Sequence, residues 1–201
     1  PGRKTDVKDC EWIADLLSHG LLRGSFIPPE PIRDLRDLTR YRKTLTDERV
    51  REVNRLQKFL EAANIKLSSV ANDVMGASGR AMLEALTAGS TDPQVLSELA
   101  KGRLRKKLPE LRKALEGRFR PHHRFMVGEI LTHIDFLDEA IEWISQEVSC
   151  RIVPFSKSVE VMDLVPGINR RAAEGILSEI GVDMNYFHTD GHAASWAGVC
   201  P

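Results

Sequence analysis

Apolar residues return at steps of three and four through most of this chain, the spacing of helices with one apolar side. The first stretch carries Trp12, Ile13, Leu16 and Leu17. With Thr5 or Asp6 as N-cap and Gly20 as C-cap, it predicts a short helix buried on one side. From Ile32 to about Ile65 the stripe is Leu35, Leu38, Leu45, Val53, Leu56, Leu60 and Ala63. A helix of about 30 residues spans roughly 45 Å, so this stretch predicts a coiled-coil-like arm. Val127, Ile130, Leu131, Ile134, Leu137, Ile141, Ile144 and Val148 predict a second long helix, the natural antiparallel partner of the first. Between them, Leu67 to Leu86 predicts a region kinked or opened to close backbone approach by Gly76 and Gly79. Pro93 to Lys101 predicts a short helix capped by Thr91 or Asp92.

Towards the C-terminus, Val161, Leu164 and Val165 predict a short helix, Pro166-Gly167-Ile168-Asn169 a turn, and Ala172, Ala173, Ile176, Leu177 and Ile180 the stripe of another helix ending at Gly181. The fold class is therefore mainly α. Prolines 28, 29 and 31 and the 151–157 stretch mark linkers, giving segments 1–28, 32–150 and 156–201.

Composition changes this picture in two places. The net charge is zero, yet residues 101–124 hold ten Lys or Arg against two Glu, while residues 129–201 hold four against twelve acidic residues. Arg103, Arg105, Lys106, Lys107, Arg112 and Lys113 thus form a local polyanion-binding candidate, since phosphate contact is mainly electrostatic. His122 and His123 extend the patch only when protonated. The arginines of the 32–65 helix are partly balanced by acidic neighbours, so a solvated face accounts for them equally well. Cys10, Cys150 and Cys200 are odd in number and far apart, which argues for a reducing cytosol rather than a disulfide framework. No apolar run approaches a membrane span.

Asp6 and Asp9 stand three apart, pointing to one side of a first helical turn behind Arg3 and Lys4. Two such oxygen ligands suit Mg²⁺, which takes one or two carboxylates plus water and substrate phosphate. Asp in a first turn is also stabilising through the helix dipole alone. At the other end, Gly167, Asn169, Arg170 and Arg171 surround a turn that resembles a helix-hairpin-helix, a motif whose hairpin and following helix N-terminus present backbone N–H groups to a nucleic-acid phosphate. A plain helical hairpin is the alternative. Asn169 stands where a hairpin of this kind has a second glycine.

The stretch GRKTDVKDCEWIADLLSHGLLRGSFIPP resembles the end of the catalytic domain of DEDD-type insertion-sequence transposases, the insertion sequence 110/116/902 group, with Cys10 where Ala is usual. The run V-P-G-I…A…I-L-x-E-I-G, followed by Phe187 through Pro201 with Trp196, Ala197 and Gly198 at its centre, resembles the C-terminal transposase domain of the same group.

The resemblance implies the C-terminal edge of a RuvC-like (RNase H-type) domain, a helical coiled-coil insert, and the start of a transposase domain with a helix-hairpin-helix. It makes Asp6 and Asp9 the third and fourth acidic ligands of a Mg²⁺ site. It further implies DNA as substrate, a structured guide RNA, a homo-oligomer formed through the helical region, and a cytoplasmic, nucleoid-associated setting. The first Asp, the Glu and a nucleophilic serine are expected beyond the two ends, Ser195 not taking that role, so the chain reads as a fragment, inactive alone. A non-catalytic nucleic-acid-binding remnant and a metal-dependent resolvase-like nuclease are the competing readings.

Overall fold

A computed structural model describes residues 5–22 and 26–197. Arg3, Lys4, Gly24 and residues 198–201 lie outside this range. Every regular element among the described residues is helical, in keeping with the periodicity. The α-helices are α1 (Asp6–Ser18), α2 (Glu30–Ala62), α3 (Ala77–Ala88), α4 (Pro93–Glu98), α5 (Leu108–Leu115), α6 (Pro121–Arg151), α7 (Ser156–Asp163), α8 (Arg170–Ile180) and α9 (Asp190–Trp196). The chain divides into two compact units, Pro1–Arg33 with Lys157–Pro201, and Asp34–Ser156.

The 34–156 unit is built on the predicted antiparallel pair. Arg151 meets Asp34 at 3.3 Å, Leu45 packs with Leu137 and Ile141, and Arg49 binds Asp138. As the α2 partner advances from Asp34 to Leu45 to Arg49, the α6 partner steps back from Arg151 to Ile141 to Asp138, which is the signature of an antiparallel register. Beyond Glu52 α3, α4 and α5 pack with the pair. Leu56, Leu60, Met82, Leu83, Leu86, Leu96, Leu111 and Ile134 close one core there. Each fully buried Leu or Ile contributes about 1.5–3 kcal/mol relative to exposure.

The Leu67–Leu86 region is a 3₁₀ turn (Leu67–Ser69) followed by α3, not one kinked helix. The close approach at Gly79 is made by the chain's own backbone. A Cβ there would lie 2.1 Å from the Val74 carbonyl oxygen. Asp92, not Thr91, caps α4, accepting the Gln94 N–H at 2.9 Å, with Pro93 at the first helical position.

Polar bonds tie this unit's helices together. Arg80 on α3 forms a two-pronged pair with Asp135 on α6, at 2.7 and 2.6 Å, and also reaches Glu84. Hydrogen bonding to Asp135 holds the Arg80 guanidinium above its ordinary pKa, and Asp138 does the same for Arg49. Where α2 ends, Arg118 N–H donates to the Ala63 carbonyl (2.7 Å) and Lys66 N–H to that of Ala114 (2.8 Å). Asn64 takes a φ of +61° at this junction, a conformation Asn tolerates better than most residues. His123 is buried at the start of α6, where its Nδ1 accepts the Arg120 N–H at 3.2 Å. It caps that helix and so contributes nothing to a surface patch.

In the other unit three expectations need correction. The stripe of α1 forms, but no α1 residue is buried, and Trp12 and Leu17 are 64% and 65% exposed. Periodicity makes a helix amphipathic without supplying a partner. The buried face of α8 is Ala173, Glu174, Leu177 and Ser178, about one position on from the predicted stripe, so Ile176 is exposed. Helix α7 ends at Asp163, leaving Leu164 and Val165 exposed in the turn.

Candidate functional site

Thr5 rather than Asp6 caps α1, its hydroxyl accepting the Lys8 N–H at 3.4 Å. That places both Asp6 and Asp9 in the first helical turn. The far end closes on Gly20 at φ +69°, with Gly20 N–H bonded to the Leu17 carbonyl and Leu21 N–H to that of Leu16, each at 3.0 Å. This double closure is the Schellman arrangement, for which glycine at the left-handed position is suited. Asp6 is exposed and Asp9 half-buried. Among the described residues no three His, Cys, Asp or Glu converge on a common point. Two carboxylates on one helical turn nonetheless have the hard-oxygen chemistry that Mg²⁺ takes as part of a ligand set.

The C-terminal hairpin departs from expectation in its turn. Its left-handed residue is Gly167, at φ +92°. Asn169 has φ −88° and acts through its side chain, accepting the Ala172 N–H at 2.9 Å as N-cap of α8. Its presence in the glycine's place is explained by capping. Arg170 and Arg171 are both exposed, and Arg170 leans along the helix to Glu174, at 3.3 Å. Glu174 is only 3% exposed, so this pair anchors Arg170 and leaves Arg171 the more available cation.

Sequence reasoning missed a ring cluster in the same unit. Phe26, in the proline-rich exit, packs against Tyr186, Phe187 and Trp196 with centroids 4.5, 5.5 and 5.9 Å away. Phe187 and Trp196 also meet edge-on at 5.6 Å. The rings join segments 160 or more residues apart, and no local spacing announces such a contact. Offset and edge-on ring pairs contribute about 0.5–1.5 kcal/mol beyond their burial. Phe26→Ala is therefore expected to loosen the C-terminal segment. The amides of Phe187 and Ala197, bonded to the Met184 and Ala193 carbonyls, should then exchange with solvent at least about fivefold faster, as about 1 kcal/mol of lost local stability dictates.

The basic segment lies on the 34–156 unit, as the 3₁₀ turn Gly102–Lys107 followed by α5. Arg103, Arg105, Lys106, Lys107 and Lys113 are exposed. Arg112 differs: its Nε donates to Ser97 Oγ at 3.3 Å and its NH2 to Glu98 at 3.1 Å, fastening α5 to α4. Lys101, just before the turn, also belongs to this exposed group. The remaining described cysteines, Cys10 and Cys150, are free and exposed.

Comparison with known proteins gives two matches, one at each end. Residues 1–65 match a family model described as "Transposase", of the DEDD IS110 type, and residues 159–201 match "Transposase IS116/IS110/IS902 family". No curated protein and no solved structure matches. No helix among the described residues is long and apolar enough to cross a membrane.

Proposed function

Given that the chain belongs to the IS116/IS110/IS902 family of transposases, we propose that it supplies part of the DNA-cleaving site and much of the nucleic-acid-binding surface of a recombinase that moves an insertion element. The observation that carries this reading is the pair of family matches at opposite ends of one chain. The ring cluster around Phe26 supports it, because it packs the exit from the first matched segment against residues of the second. The C-terminal edge of a RuvC-like domain and the start of a helix-hairpin-helix transposase domain would then share one unit, with the helical arm as the other.

In this reading Asp6 and Asp9 hold a divalent cation, Mg²⁺ by preference, from one side of the first turn of α1. When bound, such an ion polarises a phosphodiester oxygen and generates charge-stabilised leaving groups. The protein's own part is to hold the carboxylates in place: Thr5 fixes the start of α1 and Gly20 closes its far end. Gly167, Asn169, Arg170 and Arg171 present the start of α8 to a phosphate, both arginines being exposed and Arg170 also paired with Glu174. Arg103, Arg105, Lys106, Lys107 and Lys113 bind strand backbone on the arm unit, with Arg112 holding α5 in place beneath them. Backbone contacts of this kind carry no sequence information. Recognition of the site then falls to a structured guide RNA pairing with donor and target DNA. The α2–α6 pair serves a homo-oligomer, for which the exposed Phe136 and Trp143 on α6 provide apolar area.

The test is a cleavage assay with the intact protein that carries this chain, on labelled duplex bearing the element ends. Cleavage is expected with Mg²⁺ and guide RNA and is expected to stop when EDTA removes the metal. Undiminished cleavage in EDTA overturns the metal assignment, and undiminished, site-specific cleavage without RNA overturns the guided one.

A further inference from the structure

The arm unit contains an open cleft of about 520 Å³ between the turn after residue 70, the first turn of α3, and the 3₁₀ turn Gly102–Lys107. That volume lies within the range of small-ligand sites, about 300–1,000 Å³. Lys101, Arg103 and Lys107 line it, and no ion pair joins any of them to a described residue. Elsewhere in the unit Arg49, Arg80, Arg112 and Arg151 are each committed to a carboxylate. What sets Lys101, Arg103 and Lys107 apart is that all three line one hollow.

Asp73 is the acidic residue on the wall, and its Oδ1 already accepts the Met75 N–H at 2.9 Å. Its charge is partly answered by Arg49, whose guanidinium it helps to raise. The cleft is also held in shape. Lys101 N–H donates to Ser78 Oγ at 2.9 Å, tying the basic turn to α3, and a hydroxyl that accepts still has its own hydrogen to donate. Gly79 lets α3 begin hard against Val74.

We propose that this cleft is a phosphate-oxyanion site, in which Lys101, Arg103 and Lys107 grip consecutive phosphates of a nucleic-acid strand. The proposal rests on the nucleic-acid reading of the basic segment and deepens it. It separates cations that hold a strand in a shaped site from those that only colour the surface. Lys101 and Ser78 thereby gain roles that the charge run alone does not assign.

The experiment measures anisotropy of a labelled 20-nucleotide single strand, as RNA and as DNA, with the full chain across a salt series. The cleft variant Lys101→Ala/Arg103→Ala/Lys107→Ala is compared with a surface variant, Arg105→Ala/Lys106→Ala. All five positions are exposed, so melting temperatures are expected to match wild type. The cleft variant is expected to bind at least about tenfold more weakly, and the slope of log affinity against log salt to fall by about two, at roughly 0.7 per lost phosphate contact. Lys101→Arg/Arg103→Lys/Lys107→Arg should restore both.

If the cleft variant binds as wild type while the surface variant is weakened, the cleft assignment falls and the wider nucleic-acid reading stands. If neither variant changes binding, both fall. Inorganic pyrophosphate titrated by calorimetry tests the other source of the same chemistry. Pyrophosphate bound through these three residues, with strand binding unchanged, overturns the strand and leaves a free-anion site.

Discussion

Replacing Asp9 by Asn in the intact recombinase is expected to lower strand cleavage more than about a hundredfold, and replacing Asp6 by Asn is expected to do the same. Loss of a residue that merely orients a metal ligand costs about 10–100-fold, so loss of a ligand itself should exceed that. Asn keeps the shape and an acceptor oxygen but removes the charge that holds a hard cation. The fold should not change, because no residue of α1 is buried. The loss of favourable interaction with the helix dipole is worth about 0.3–1 kcal/mol in one exposed helix. Activity and stability therefore separate cleanly. The readouts are cleavage rate and a melting curve on the same preparation. A variant within about threefold of wild-type activity would return these carboxylates to the role of ordinary first-turn residues.

Gly79→Ala is expected to be the most damaging conservative change in the arm unit. In a helix, Ala normally stabilises over Gly by about 1 kcal/mol. Here the added methyl would stand 2.1 Å from the Val74 carbonyl oxygen and 2.7 Å from its carbon. Both are backbone atoms of a residue only 3% exposed, so neither can swing aside as a side chain could. Either α3 is pushed off the core that Met82, Leu83 and Leu86 complete, or the 70–76 turn is displaced. Overpacking of this kind costs about 1–3 kcal/mol and sometimes more, and the backbone contact places Gly79 at the upper end. A fall in Tm of about 10 °C follows for a unit of this size. Gly128→Ala is the control. Gly128 lies within α6 and an added Cβ there meets nothing within 4 Å. It should raise stability by about 0.5–1 kcal/mol. Thermal denaturation of the two variants side by side decides the matter, and equal effects of the two would show that the contact at Val74 yields.

Much of the helical framework was legible in the order of residues. Both long helices of the arm follow from stripes at steps of three and four, and their antiparallel partnership from the length of each. Thr91 or Asp92 before Pro93 announced the start of α4, and folding made Asp92 the cap. The carboxylate pair and the hairpin turn could be located because each is a short run of neighbours.

What could not be read are relations between distant residues. Nothing in the sequence links Phe26 to Trp196, or Ser78 to Lys101. The basic run is uniform as a string, yet folding fastens Arg112 to Ser97 and Glu98 while Lys101, Arg103 and Lys107 come to line one cleft. Asn169 looked like a substitute for glycine until its φ and its bond to Ala172 showed a cap. The stripe of α1 was visible, but that none of its residues is buried was not.

The physical reason is one of range. Helix formation, capping and turn chemistry depend on residues within about four positions of each other, so the sequence by itself determined the helices, several of their ends and where charge is concentrated. Which face is buried, which cations are neutralised and which glycine meets a foreign carbonyl depend on contacts across tens of residues. Those were decided only when the helices packed.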